Sequence, residues 1–197
     1  MIFAPASPRA VSVEEATILR RVTPAGITAG GVFKDQPVED VLRIASQVGL
    51  TWVQLHGGFG FDAIAELHAA GLQVIWAVPV ALDGRYGAVP SDADLLLFDT
   101  AAGGQFGGTG ARFAWDATKA PSQPFLIAGG IRPYNVARAT TAISGSAGID
   151  LSSGVEAAPG IKSHALLRAL GAALLPIVRP VDLDAAAASS SSSEASS

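Results

Sequence analysis

Six short apolar runs recur along this 197-residue chain, and most are separated by stretches with helical spacing. They are GITAGGVF (26–33), TWVQLHG (51–57), QVIWAVPV (73–80), DLLLFDT (94–100), PFLIAGGI (124–131) and AGIDLSS (147–153). Each is bounded by glycine, proline or polar residues. Near-continuous apolar runs of this length suit strands covered on both faces, as in a parallel sheet.

The stretches between them read as helices. PVEDVLRIASQVG (37–49) puts Val38, Val41, Leu42, Ala45 and Val48 on one stripe, with Pro37 suited to the first turn and Gly49 to the stop. FDAIAELHAAG (61–71) contributes Ile64 and Leu67, with Leu72 just beyond Gly71. RPYNVARATTAIS (132–144) carries Val136, Ala139, Thr140 and Ile143, and KSHALLRALGAALL (162–175) carries Leu166, Leu167, Leu170 and Leu174. Near the front, Ser12 and Glu15 have the spacing of a capping box. The link 81–93 has no helical period and reads as a loop or a short turn of helix.

Strand–helix alternation with short links predicts right-handed crossovers and a parallel sheet. Such a sheet is either open and doubly wound or closed as a (β/α)8 barrel. An open sheet would usually carry a glycine-rich nucleotide turn after its first strand, and this chain has none. Glycine collects after the last two runs instead, at Gly129–Gly130 and Gly154. In barrels the loops after the last two strands commonly hold a phosphate, which favours the barrel.

Apolar residues make up 49% of the chain and charged residues 15%, enough for a substantial core. Net charge is −4, and the lysines and arginines form no stripe, so nucleic acid is not an expected partner. There is no cysteine, which removes a thiol nucleophile, a disulfide and a thiolate metal site from these residues. His56, His68 and His164 have no metal-ligand spacing. The longest apolar run, VIWAVPVAL, falls far short of the roughly 20 residues that cross a bilayer. The opening MIFAPASPRA makes a poor signal peptide. The expectation is a soluble cytoplasmic protein without metal or cofactor. Residues 1–176 read as one domain, and 177–197 as a disordered Ala/Ser-rich tail.

A bound phosphate needs backbone N–H groups gathered at one point, and glycine lets the chain come close. AGGIRP (128–133) and SSGVE (152–156) offer this at successive strand ends, with Ser152 or Ser153 adding a hydroxyl. The same glycines also suit plain tight turns. Asp99 ends an otherwise apolar strand, where a barrel would place a general acid or base at its mouth. A turn or cap aspartate is the structural alternative. The glycines at 103, 104, 107, 108 and 110 suggest a mobile cover over that mouth or a merely floppy insertion.

Taken together, VFKDQPVEDVLRIASQVGLTWVQLHG, LLLFDT with GGTGARFAWD, PFLIAGGIRPYNV and IDLSSGVEAAPGIK resemble phosphoribosylanthranilate isomerase over about residues 3 to 170. The resemblance implies a (β/α)8 barrel and a cofactor-free Amadori rearrangement of N-(5-phosphoribosyl)anthranilate in tryptophan biosynthesis. It implies that Asp99 is the general acid. It implies that Arg9 meets the anthranilate carboxylate, and that Gly129, Gly130, Asp150, Ser152, Ser153 and Gly154 form the phosphate site. His56 matches a position at the mouth, as a chemical group or as a residue that orders the loops. The partner implied is a small phosphosugar, and a homodimer is an open option.

The sequence also departs from the family. Members begin with a strand of the type KICGIT, whose cysteine is the general base, followed by a helix and a second strand. Here MIFAPASPR corresponds to a position inside or just after that second strand. The expectation is therefore an incomplete barrel lacking its first βα unit, with apolar edges exposed. A start displaced from the true one, a degenerate copy, two chains completing each other, or a substitute base such as Lys34 would each account for it. Without the base the expectation is weak catalysis, and a non-catalytic phosphosugar-binding or interaction protein is the alternative.

Overall fold

The structure, a computed structural model, describes residues 1–101 and 113–177. Its elements alternate as the runs predict. The first half holds α1 (Val13–Val22), β1 (Gly30–Lys34), α2 (Val38–Val48), β2 (Trp52–His56), α3 (Ala63–Ala69), β3 (Gln73–Val80) and β4 (Leu95–Thr100). Then come β5 (Phe125–Ile127), α4 (Val136–Ala142), β6 (Gly148–Ile149), a small hairpin of β7 (Glu156–Ala158) and β8 (Ile161–Lys162), and α5 (His164–Leu174).

Strands β1 to β6 form one sheet in chain order, every neighbour parallel. A doubly wound sheet reverses its order at a switch point, and this one never does, so the arrangement is of the barrel type. Met1–Phe3 extends the sheet beside β1: the Phe3 N–H donates to the Val32 carbonyl and the Val32 N–H to that of Met1, both at 2.8 Å. The two edges, Met1–Phe3 and β6, are not hydrogen-bonded to each other among the described residues. They nonetheless flank one cavity, lined by Ile2 from one edge and Asp150 and Leu151 from the other.

Side chains alternate across the sheet with period two. One face carries Phe33, Val53, Leu55, Val74, Trp76, Leu96, Phe98, Phe125 and Ile127, all buried. Helices cover it with Val41, Ile44, Ala45 and Val48 from α2, Ile64 and Leu67 from α3, and Val136 and Ala139 from α4, all in one core. The other face carries Val32, Gln54, His56, Leu97 and Asp99 and lines the cavity.

The capping box forms as expected: Glu15 N–H donates to Ser12 Oγ at 3.1 Å, and Ser12 N–H to the Glu15 carboxylate at 2.8 Å. No helix forms over 81–93. Other expectations need correction. The first strand begins at Gly30, because a turn precedes it in which the Ile27 N–H meets the Pro24 carbonyl and Ile27 stays exposed. The fifth and sixth strands shrink to three and two residues. Gly129 and Gly130 turn the chain out of β5 with positive φ, and among the described residues β6 has a neighbour on one side only. In α2, Ile44 is buried while Val38 and Leu42 are only partly so. The leucine stripe of α5 is only partly buried: Leu170 and Leu174 pack against the core, no residue of the helix is fully buried, and Leu167 is 43% exposed. The expected tail lies, from residue 178 onward, outside the described residues, as does the glycine-rich cover from 102 to 112.

Candidate active site

The cavity measures about 270 Å³ and opens at the C-terminal ends of the strands. All of the residues that the resemblance assigns to the site line it. Asp99 comes from the end of β4 and His56 from the end of β2. Arg9 comes from the turn after the Met1–Phe3 segment, and the remainder come from the two glycine loops. Lys34, the substitute base considered above, does not line it.

Asp99 lies on the inner face between apolar neighbours. Burial pushes its carboxyl up from 3.8 to about 6, the nearby charge of Asp150 pushes the same way, and the Thr100 N–H at 2.8 Å opposes them. A carboxyl that holds its proton to about pH 6 suits a general acid near neutrality. Asp150, just past β6, is also raised by burial, while the positive charges of Lys162 and of the Met1 amino group pull it down. The residue keeps contact with solvent, which reaches it where it lines the cavity. His56 goes the other way: burial, then the Lys34 charge, lower its pKa from 6.5 to about 4. Its imidazole is neutral at physiological pH.

The two glycine loops meet backbone to backbone. A Cβ on Gly154 would sit 1.9 Å from the Ile131 carbonyl oxygen, so only glycine lets them close. Gly129 has φ +81°, and a Cβ there would sit 2.1 Å from Thr100 Oγ1. Among the described residues, the N–H groups of Gly129, Gly130, Ser153 and Gly154 donate to no protein acceptor. All four residues line the cavity. Backbone donors left over in this way need water or a ligand.

Arg9 is held by Glu156. Its Nε donates to both carboxylate oxygens at 3.0 and 2.9 Å, and its Nη2 donates to Oε2 at 2.7 Å. The Glu156 side chain is only 4% exposed. It also accepts from Lys162 Nζ at 2.8 Å and from Ser152 Oγ at 3.3 Å. The hydrogen bond from Arg9 first, and Lys162 after it, hold the Glu156 carboxyl down at about 2. Among the described residues Arg9 Nη1 makes no hydrogen bond.

Sequence reasoning assigned no role to Glu156 and missed Gln54. The signal for Gln54 was present: an amide two positions before His56, hence on the same face of an otherwise apolar strand. Glu156 carried no such signal, because its partner Arg9 is 147 residues away. No group of three or more His, Cys, Asp or Glu gathers as metal ligands among the described residues. Nor is any described helix long and apolar enough to cross a membrane.

Comparison with known proteins gives a consistent answer. Residues 1–172 match the family model for N-(5'-phosphoribosyl)anthranilate (PRA) isomerase. The chain is similar to the N-(5'-phosphoribosyl)anthranilate isomerase of Rubrobacter xylanophilus, at 39% identity over 85% of this chain and 82% of the relative. It is similar to that of Haloferax volcanii at 34% identity, over 85% and 77%. Among solved structures it resembles the Thermus thermophilus phosphoribosyl anthranilate isomerase, at 30% identity and a TM-score of 0.73 over 90% of this chain and 87% of that one. It also resembles a phosphoribosyl anthranilate isomerase in complex with reduced 1-(o-carboxyphenylamino)-1-deoxyribulose 5-phosphate. There the identity is 28% and the TM-score 0.66, over 86% and 82%.

Proposed function

The chain belongs to the N-(5'-phosphoribosyl)anthranilate isomerase family, and from that premise we propose how its cavity serves the rearrangement of N-(5-phosphoribosyl)anthranilate to 1-(2-carboxyphenylamino)-1-deoxyribulose 5-phosphate. The observation that carries the reading is one of placement. A buried carboxyl with a raised pKa and four uncommitted backbone donors share one cavity at one end of the sheet.

In this reading the phosphate sits on the amides of Gly129, Gly130, Ser153 and Gly154, with the Ser153 hydroxyl beside it, while the Ser152 hydroxyl donates to Glu156. The other end of the substrate, the anthranilate carboxylate, meets Arg9. Nε and one side of Nη2 belong to Glu156, so Arg9 offers its end-on pair, Nη1 and the second hydrogen of Nη2. Between the two ends lies Asp99. Its proton goes to the ring oxygen as the C1–O bond breaks, while the nitrogen lone pair forms the C1=N iminium. Loss of the C2 proton then sends the C2–H electron pair into a C1=C2 bond, giving an enolamine that tautomerises to the ketone. Asp150 orients backbone or sugar groups. His56 stays neutral and orders the mouth.

These 197 residues contain no thiol to take the C2 proton. General-base catalysis is worth about 10²–10⁴-fold, so the chain by itself is expected to turn over more slowly by about that factor than one supplied with a base. The further parts of the reading are a cytoplasmic setting, no nucleic-acid partner and pairing of two copies. The sheet edges left unpaired among the described residues support pairing, as does a structure described as mutually generated monomers of the dimeric Thermotoga maritima isomerase.

The test is a titration with reduced 1-(o-carboxyphenylamino)-1-deoxyribulose 5-phosphate, together with a turnover assay and growth of a tryptophan auxotroph lacking this step. Binding that inorganic phosphate displaces, with turnover restored by an added strand–helix segment carrying a cysteine, supports the proposal. Absence of binding refutes it. Binding without turnover in either form makes the chain a non-catalytic phosphosugar binder.

A further inference from the structure

Glu156 stands outside the reacting groups, yet it is the most heavily bonded carboxylate of the mouth. Four hydrogen bonds from Arg9 and Lys162 reach it, and Ser152 Oγ adds a fifth. With side chains 15% and 4% exposed, Arg9 and Glu156 pair where water has little access. An arginine on a surface turn would otherwise lose its conformational freedom only when it binds. Its partners also come from separate pieces of chain: Arg9 follows the Met1–Phe3 edge, Ser152 opens the second glycine loop, and Lys162 ends the hairpin.

We propose that Glu156 is a positioning residue: it holds Arg9 by the Nε side so that the end-on pair faces the cavity, and thereby sets the recognition of the substrate's carboxylate. The proposal rests on the reading that Arg9 meets that carboxylate, and it adds what makes Arg9 selective. The bond to Ser152 has a second consequence. It ties the carboxylate-reading arginine to the phosphate-reading loop, so both ends of the ligand are gripped by one rigid frame.

The test compares two probes by calorimetry: reduced 1-(o-carboxyphenylamino)-1-deoxyribulose 5-phosphate and the phenylamino compound that lacks only the carboxylate. The quantity read is the ratio of their affinities, because a general loss of structure weakens both probes alike and leaves the ratio unchanged. In the wild-type chain the ratio is expected to be about tenfold or more, the scale of a charge-assisted hydrogen bond. In Glu156→Gln it falls to within about threefold of unity, while binding of the carboxylate-free probe is retained. A ratio in Glu156→Gln equal to that of the wild type overturns the proposal. So does a higher one, which would make Glu156 a competitor for Arg9. If Glu156→Gln does not fold, Glu156→Asp takes its place; a lowered ratio supports the proposal and an unchanged one overturns it. A wild-type ratio near one refutes the prior reading of Arg9, and positioning by Glu156 falls with it.

Discussion

The two ends of the sheet are built differently. From β1 to β4 the strands are five to eight residues long, and α2 and α3 seal their outer face with fully buried side chains. At the other end β5 and β6 have three and two residues, and α5 buries none of its own. The glycine loops, Asp150 and Glu156 all belong to this thinner end. The thick arc supplies stability, and the thin end supplies donors that its own backbone has left unused. Every backbone group spent on a ladder is lost to a ligand, so a short strand with a glycine turn is the form a binding mouth takes.

Phe33→Ala strikes the thick arc. Phe33 is fully buried and stacks on Phe3 at a centroid distance of 5.2 Å. It should cost about 3–5 kcal/mol in urea unfolding, a large part of a domain's usual stability. A loss below about 1 kcal/mol would mean that the arc is not the stabilising half.

Asp99→Asn addresses the border between the halves and should separate stability from activity. Turnover in an otherwise competent form should fall by about 10²-fold or more. Stability should change the other way. The folded protein keeps the Asp99 proton up to about pH 6, whereas an unfolded chain releases it near 3.8, so this group costs stability as pH rises between those values. Above pH 6 the variant should therefore melt about 2–4 °C higher, as a gain near 1 kcal/mol would give. A variant that melts lower at neutral pH contradicts this sign.

Acid titration probes the thin end. Glu156 has its folded pKa depressed from 4.5 to about 2, so the stability it confers is complete above 4.5 and disappears as pH falls toward 2. Melting curves across that window should show the loss in the wild type and a smaller one in Glu156→Gln. Equal slopes would remove Glu156 from the frame. The smallest effect belongs to Leu167→Ala on α5: with 43% of the residue exposed, it should shift unfolding by no more than about 0.5 kcal/mol. A cost near that of Phe33→Ala would abolish the contrast between the ends.

The same contrast explains what could be read from sequence. In the thick arc, period and propensity agree with packing, and QVIWAVPV coincides with β3 residue for residue. In the thin end, PFLIAGGI and AGIDLSS have strand composition, but turn geometry cuts them short, and among the described residues β6 pairs on one side only. The helix of KSHALLRALGAALL was legible, whereas its incomplete burial was not, since that depends on how the rest of the fold packs against it. Asp99 and the glycines could be found from local pattern because each sits at a strand end. Gln54 needed the alternation of β2 to be followed inward. The Arg9–Glu156 pair lay beyond any local reading, because folding alone brings together two residues that far apart.

The contact between Gly154 and the Ile131 carbonyl also bears on motion. With no room for even a methyl group between them, neither loop can shift toward the other unless that neighbour gives way. Inward movement of one segment is therefore passed to the other. A ligand held by either loop should slow deuterium uptake at the amides of both.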